Sequence, residues 1–88
     1  MLEKKEKDKK LFMYLLNTFQ SSAKIAMGEM KNPVTEKIET NLSQASYYID
    51  LLEMIQKKTK NNLSDYEEQM LINIISDLRM SYLLKVKN

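Results

Sequence analysis

Cysteine and histidine are both missing from these 88 residues, and glycine and proline occur once each. Without cysteine there is no disulfide framework of the kind that stabilises small secreted domains, and without either residue the usual zinc ligands are absent. These gaps point to a reducing, cytoplasmic setting and remove any nucleophile activated by histidine. No glycine-rich loop is present to cradle a phosphate, so the sequence predicts no enzyme, no bound cofactor and no metal. Scarce glycine and proline also argue against strands, which need frequent turns, and with 43% hydrophobic residues they predict an all-α chain. The longest apolar run, "LFMYLL", is far too short for a membrane span, and the first residues lack the apolar core of a secretory signal.

What charge there is lies unevenly. The net value is +2, and the opening "MLEKKEKDKK", with five lysines against three acids, accounts for all of it. Residues 11–88 are neutral, with nine charges of each sign. Nucleic-acid binding rests on a basic face that neutralises several phosphates, so it stands only as the alternative reading, carried by the lysine leader and the Lys57 to Lys60 corner.

Residues 1–8 read as a solvated, frayed leader, and 9–88 as one helical domain. From about Lys9 to Met30 apolar residues recur at threes and fours, which predicts an amphipathic first helix with small Ser22, Ala23 and Ala26 in its middle. Gly28 and Pro33 open a connector of about ten residues, long enough to leave the first helix free to pack within its own chain or to cross to a second copy. Asn41 caps a second helix, 42–58, with Gln44 placed to complete a box-like cap. Lys57, Lys58 and Lys60 with Asn61 or Asn62 stop that helix, and Ser64 with Glu67 starts a third at 65, ending near 84. The stretch "KKTKNNLSDYEE" is therefore a joint, and so short a link predicts that the second and third helices form an antiparallel hairpin.

The order and spacing of "MG" at 27 and 28, "NPVT" at 32–35, "ID" at 49 and 50, "KTKNNLS" at 58–64 and "LRMSY" at 78–82 resemble the family known as domain of unknown function 1844. The resemblance covers most of the chain after the leader and implies a small helical bacterial protein, with no activity and no catalytic residues to carry over. Two positions depart from it: Glu36 and Asn61 stand where the family tends to have glycine.

Both apolar arcs of the hairpin are wider than a single core requires, which predicts self-association as a homodimer or higher homo-oligomer, with another protein as a further partner. Phe12, Leu15, Phe19, Tyr47, Leu51, Met54, Ile72 and Leu83 are the expected interface. Phe12, Leu15 and Phe19 also suggest a weaker membrane-surface reading. Arg79 falls among apolar neighbours, and Asp50 is its expected ion-pair partner, with Glu53 in reserve; the alternative lays its methylenes along the apolar surface and puts its head in water. Glu53 is otherwise expected to pair with Lys57 one turn on. Tyr47, Tyr48, Tyr66 and Tyr82, at helical spacing beside leucine and isoleucine, read as core or interface.

Overall fold

The computed structural model describes residues 2–87, and the side chains of residues 5–87. It is all-α: α1 spans Leu2–Ala26, α2 Leu42–Lys58 and α3 Asp65–Lys87. α2 and α3 form the expected antiparallel hairpin, and α1 packs on it within the same chain, more closely on α2 than on α3.

The two inner caps form as their residue types dictate. The Glu67 amide donates to Ser64 Oγ at 3.2 Å while the Ser64 amide donates to Glu67 Oε1 at 2.9 Å, a reciprocal box that satisfies two otherwise unpaired donors. At the start of α2 only half of such a box exists. Asn41 Oδ1 accepts from the Gln44 amide at 3.1 Å. The Asn41 amide, which Gln44 was expected to cap, donates instead to the Ala26 carbonyl at 2.7 Å. α2 ends at Thr59, whose amide and hydroxyl both donate to the Ile55 carbonyl. Asn61, at φ 70°, then reverses the chain.

α1 differs from expectation at both ends. It begins at Leu2 rather than near Lys9, because lysine, glutamate and leucine are good helix formers and Lys9 sits 3.8 Å from Glu6 on the same face. It stops at Ala26 rather than Met30, because Gly28 adopts φ 77°. There the Gly28 amide donates to Ile25 and the Glu29 amide to Lys24, the paired bonds of a Schellman cap. Apolar spacing continued through Met27 to Met30, but backbone conformation ended the helix first: Met27 is buried and Met30 is exposed.

The connector is an organised loop. Met27 and Thr40 form an isolated antiparallel bridge across its ends. Inside, Asn32 organises the turn: its side-chain oxygen accepts from the Val34 and Thr35 amides, its carbonyl from the Glu36 amide, and its own backbone amide donates to the Lys37 carbonyl. Pro33 sets the extended entry to this turn, and Glu36 closes it at φ 60°. Glu36 and Asn61 are thus the two non-glycine residues with positive φ among those described, and both stand where the family resemblance expects glycine.

The core unites the three helices: Leu16, Ala23, Ala26 and Met27 from α1 and its end, Ala45, Ile49 and Leu52 from α2, and Leu71, Ile74, Ile75 and Leu78 from α3. Three of these eleven are alanines. Their small volume lets helices approach closely but contributes little buried apolar area.

Opposite effects are expected at two of the turns. Gly28→Ala would force a side chain into a left-handed position with its Cβ 2.5 Å from Thr40 Oγ1, and should lower stability by about 1–2 kcal/mol. Glu36→Gly removes strain of the same kind and should raise the melting temperature by roughly 4 °C, with Asn61→Gly giving less because asparagine tolerates the left-handed region. Thermal unfolding of the three variants followed by circular dichroism checks the order.

Candidate interaction surface

Packing divides the expected interface residues into two groups. Phe12 and Phe19 are half-buried and pack against the core. Of the trio Phe12, Leu15 and Phe19, only Leu15 is exposed. Helical spacing places apolar residues on an arc without saying which neighbour covers it, and here α2 and the α2–α3 turn cover the two phenylalanines. Leu51 is half-buried, while Leu15, Tyr47, Met54, Ile72 and Leu83 are exposed. Of the four tyrosines read as core or interface, Tyr48 and Tyr82 pack on the core and Tyr47 and Tyr66 are exposed.

The exposed group falls on two surfaces. The first is shared by α1 and α2. The Phe19 and Tyr48 rings lie 6.3 Å apart, and Tyr47 meets Tyr48 edge-on at 6.2 Å, distances at which aromatic rings attract. Leu11 and Leu15 continue the strip on α1 one turn at a time from Phe19, and Leu51 and Met54 continue it on α2. Leu11 was not among the expected residues, although its four-residue step to Leu15 carried the signal. Thr18, on the same side of α1, donates its hydroxyl to the Tyr14 carbonyl at 2.8 Å, so its hydrogen bond is made inside its own helix.

Charge is absent from the α1 half of this face. Residues 11–23 include no charged side chain. On α2, at about 100° per residue, Glu53 lies on the flank toward α3, whereas Asp50 stands one turn from both Tyr47 and Met54 and Lys57 one turn from Met54, so charge borders the apolar residues. Lys58 alone reaches the apolar side, at the helix end.

The second surface is the outer side of α3, with Ile72, Met80, Leu83 and Leu84 exposed. It is interrupted by polar groups. Gln69 Nε2 donates to Asn73 Oδ1 at 2.9 Å in the middle of the stripe, and Asp77 and Arg79 flank it. A third apolar point is the connector, where Val34 is 88% exposed and Ile38 is exposed beside it. Helical periodicity could not find this pair, because it lies outside any helix.

Arg79 pairs with Glu53, not with Asp50, and Glu53 accordingly does not pair with Lys57. Two geometrical facts explain the choice. Glu53 lies about 60° nearer the buried face of α2 than Asp50, which points into solvent. Side chains also lean toward the N-terminus of their own helix, so in an antiparallel hairpin Glu53 and Arg79 lean toward each other. The pair is partly solvated, with the Arg79 side chain 57% and the Glu53 side chain 28% exposed.

At one end of the bundle, an open cleft of about 660 Å³ brings Lys5, Lys9 and Phe12 of α1 against Asn61 to Ser64 of the α2–α3 turn. The leader and the lysine corner thus share an end. Asp8 and Glu67 line the same cleft. No group of three or more histidine, cysteine or acidic side chains is gathered as metal ligands among the described residues, and none of the described helices is long and apolar enough to cross a membrane.

The total accessible surface is 6742 Å². A folded monomer of 10.4 kDa is expected to expose about 5,400 Å². The radius of gyration is likewise large, 14.3 Å against about 12 Å expected for this length. The charged first turns of α1 and the connector contribute to both differences.

The family model described as "Domain of unknown function (DUF1844)" matches residues 9–84. No curated protein and no solved structure matches the chain.

A double-mutant cycle on Glu53 and Arg79, read by urea unfolding, should give a coupling of about 0.2–1 kcal/mol that shrinks as salt is added, the range of a solvated pair. The same cycle on Asp50 and Arg79 should give a coupling indistinguishable from zero.

Proposed function

This chain belongs to the family described as domain of unknown function 1844, and from that premise we propose that it is a self-associating helical module, a structural or adaptor protein without enzymatic activity. The observation that carries the reading is the accessible surface, about 1,300 Å² larger than a folded monomer of this mass requires. Among the described residues fourteen large apolar side chains are exposed, against eleven apolar residues in the core. Covering a side chain of that kind completely contributes roughly 1.5–3 kcal/mol, and a standard stable interface takes about 800 Å² from each partner. A two-fold pair is the simplest closed solution.

A second reading has one observation in its favour, the convergence of Lys5 and Lys9 with the Lys57 to Lys60 corner at one end of the bundle. Nucleic acid would be the ligand. Glu6, Asp8, Glu67 and Glu68 at the same end dilute the basic field that phosphate binding needs.

Sedimentation of the native chain at micromolar concentration should give a mass near twice 10.4 kDa, falling toward the single-chain value on dilution. A compact single chain at every concentration would overturn the self-association reading. Titrating the protein with single-stranded and duplex DNA and RNA at low salt separates the second reading: no binding is expected, whereas binding that weakens steeply with added salt would favour it.

A further inference from the structure

We propose that the solvent side of α1, around Leu11 and Tyr14, binds the surface of an anionic lipid bilayer. The proposal is independent of the self-association reading, since its partner is lipid.

The first observation is the order of residue types along that side of the helix. At about 100° per residue, Lys7, Lys10, Leu11, Tyr14 and Thr18 fall within one arc of about 100°. All five are exposed, opposite the buried Leu16 and Ala23. Tyr14 is 72% exposed and Leu11 55%. Lysines come first along the arc and apolar residues follow within a turn. Side chains lean toward the N-terminus of their own helix, so Lys7 and Lys10 extend away from Leu11 and Tyr14 and leave them open. On a bilayer the lysine stems lie along the surface with their ammonium groups at the phosphates, while leucine and tyrosine enter the interfacial layer.

The second is charge. Residues 9–28 contain no acid, so each neighbour of Tyr14 one turn away, Lys10, Leu11, Asn17 and Thr18, is cationic or uncharged. Asp8 borders Leu11 on the side toward α2, and Glu6 lies 3.8 Å from Lys9 on the other flank. Among the described side chains the arc itself holds cations only. A second copy laid on this arc would set lysine against lysine, whereas a layer of anionic headgroups is complementary to it. Duplex nucleic acid would also meet the lysines, but its phosphates offer nothing to Leu11.

The third is shape. A shallow groove of about 360 Å³ runs beside Tyr14, lined by Lys9, Lys10, Met13, Tyr14 and Asn17. Its lysines stand at one end, with Met13 and the Tyr14 ring following along the helix. A phospholipid presents the same sequence of chemistry, phosphate first and hydrocarbon after. Thr18 already gives its hydroxyl to the Tyr14 carbonyl at 2.8 Å, so that group keeps its hydrogen bond when water is displaced.

Flotation of the full chain with lipid vesicles tests the proposal. Vesicles of phosphatidylcholine with about one third phosphatidylserine should carry the protein at least about 10-fold more strongly than phosphatidylcholine alone, because each lysine near an anionic surface contributes a factor of about five. Lys7→Gln with Lys10→Gln should weaken that binding about 25-fold, the product of two such factors. Leu11→Ser with Tyr14→Ser should weaken it about 10-fold or more by removing the apolar contact. Ile72→Ser with Leu84→Ser, on α3, should leave it within about 3-fold, as expected away from the contact. Circular dichroism of each variant confirms that it folds. No flotation, equal flotation on both vesicles, or loss with the α3 pair and not with the Leu11 and Tyr14 pair would overturn the proposal. Binding abolished by the lysine pair but untouched by the Leu11 and Tyr14 pair would overturn it as well, as attraction to charge alone. Sedimentation without vesicles reads self-association separately.

Discussion

The backbone hydrogen bond from the Asn41 amide to the Ala26 carbonyl, 2.7 Å long, joins the last turn of α1 to the residue that starts α2. Next to it the Met27–Thr40 bridge closes the connector. Together they convert a long link, which by its length alone leaves α1 free, into a fixed corner. Close packing then continues away from the joint. Ala23 lies one turn back along α1 and Ala45 one turn into α2, both fully buried, so the two helices approach without intervening bulk. A larger residue at either position would push the helices apart where the hydrogen bonds hold them together. Bulkier side chains, Phe12, Phe19 and Tyr48, fill the space farther from the corner.

That arrangement has a cost in core volume. Alanines near the joint permit contact but bury little apolar surface, and a chain of this length starts with an unfavourable ratio of surface to interior. The bundle compensates through Leu16, Leu52, Leu71 and Leu78, which are almost wholly enclosed. What it cannot enclose is the outer half of the α1–α2 contact. There aromatic residues stand beside leucine, with Asp50 and Lys57 bordering them on α2. The partly solvated Glu53–Arg79 pair, on the charged flank, belongs to the water-facing side of the hairpin.

Features decided by adjacent residues were legible in the sequence. The Ser64–Glu67 cap, the stop at Asn61 and the bounds of α2 depend on groups within a turn of each other, and each formed as residue type required. The end of α1 was harder to read, because apolar spacing ran on past Gly28 while the backbone had already turned. The Gln44 half of the α2 cap was lost to a long-range competitor, Ala26. Arg79 drew Glu53 instead of Asp50 because the choice depends on how two helices face each other, which no single helix encodes. For the same reason helical spacing marked the apolar residues of α1 without showing that Phe12 and Phe19 pack against the core of their own chain. The surface strip could be seen only once Phe19 and Tyr48 were brought together.

The left-handed corner at Glu36 also bears on how the molecule comes apart. Most of the connector's side-chain hydrogen bonds are exposed and local, so one unfavourable dihedral is a large share of what holds that segment. Regions of this kind open at lower free energy than the whole. On warming, the middle of the connector should loosen first, while the Asn41–Ala26 bond, the Met27–Thr40 bridge and the shared core keep α1 on the hairpin.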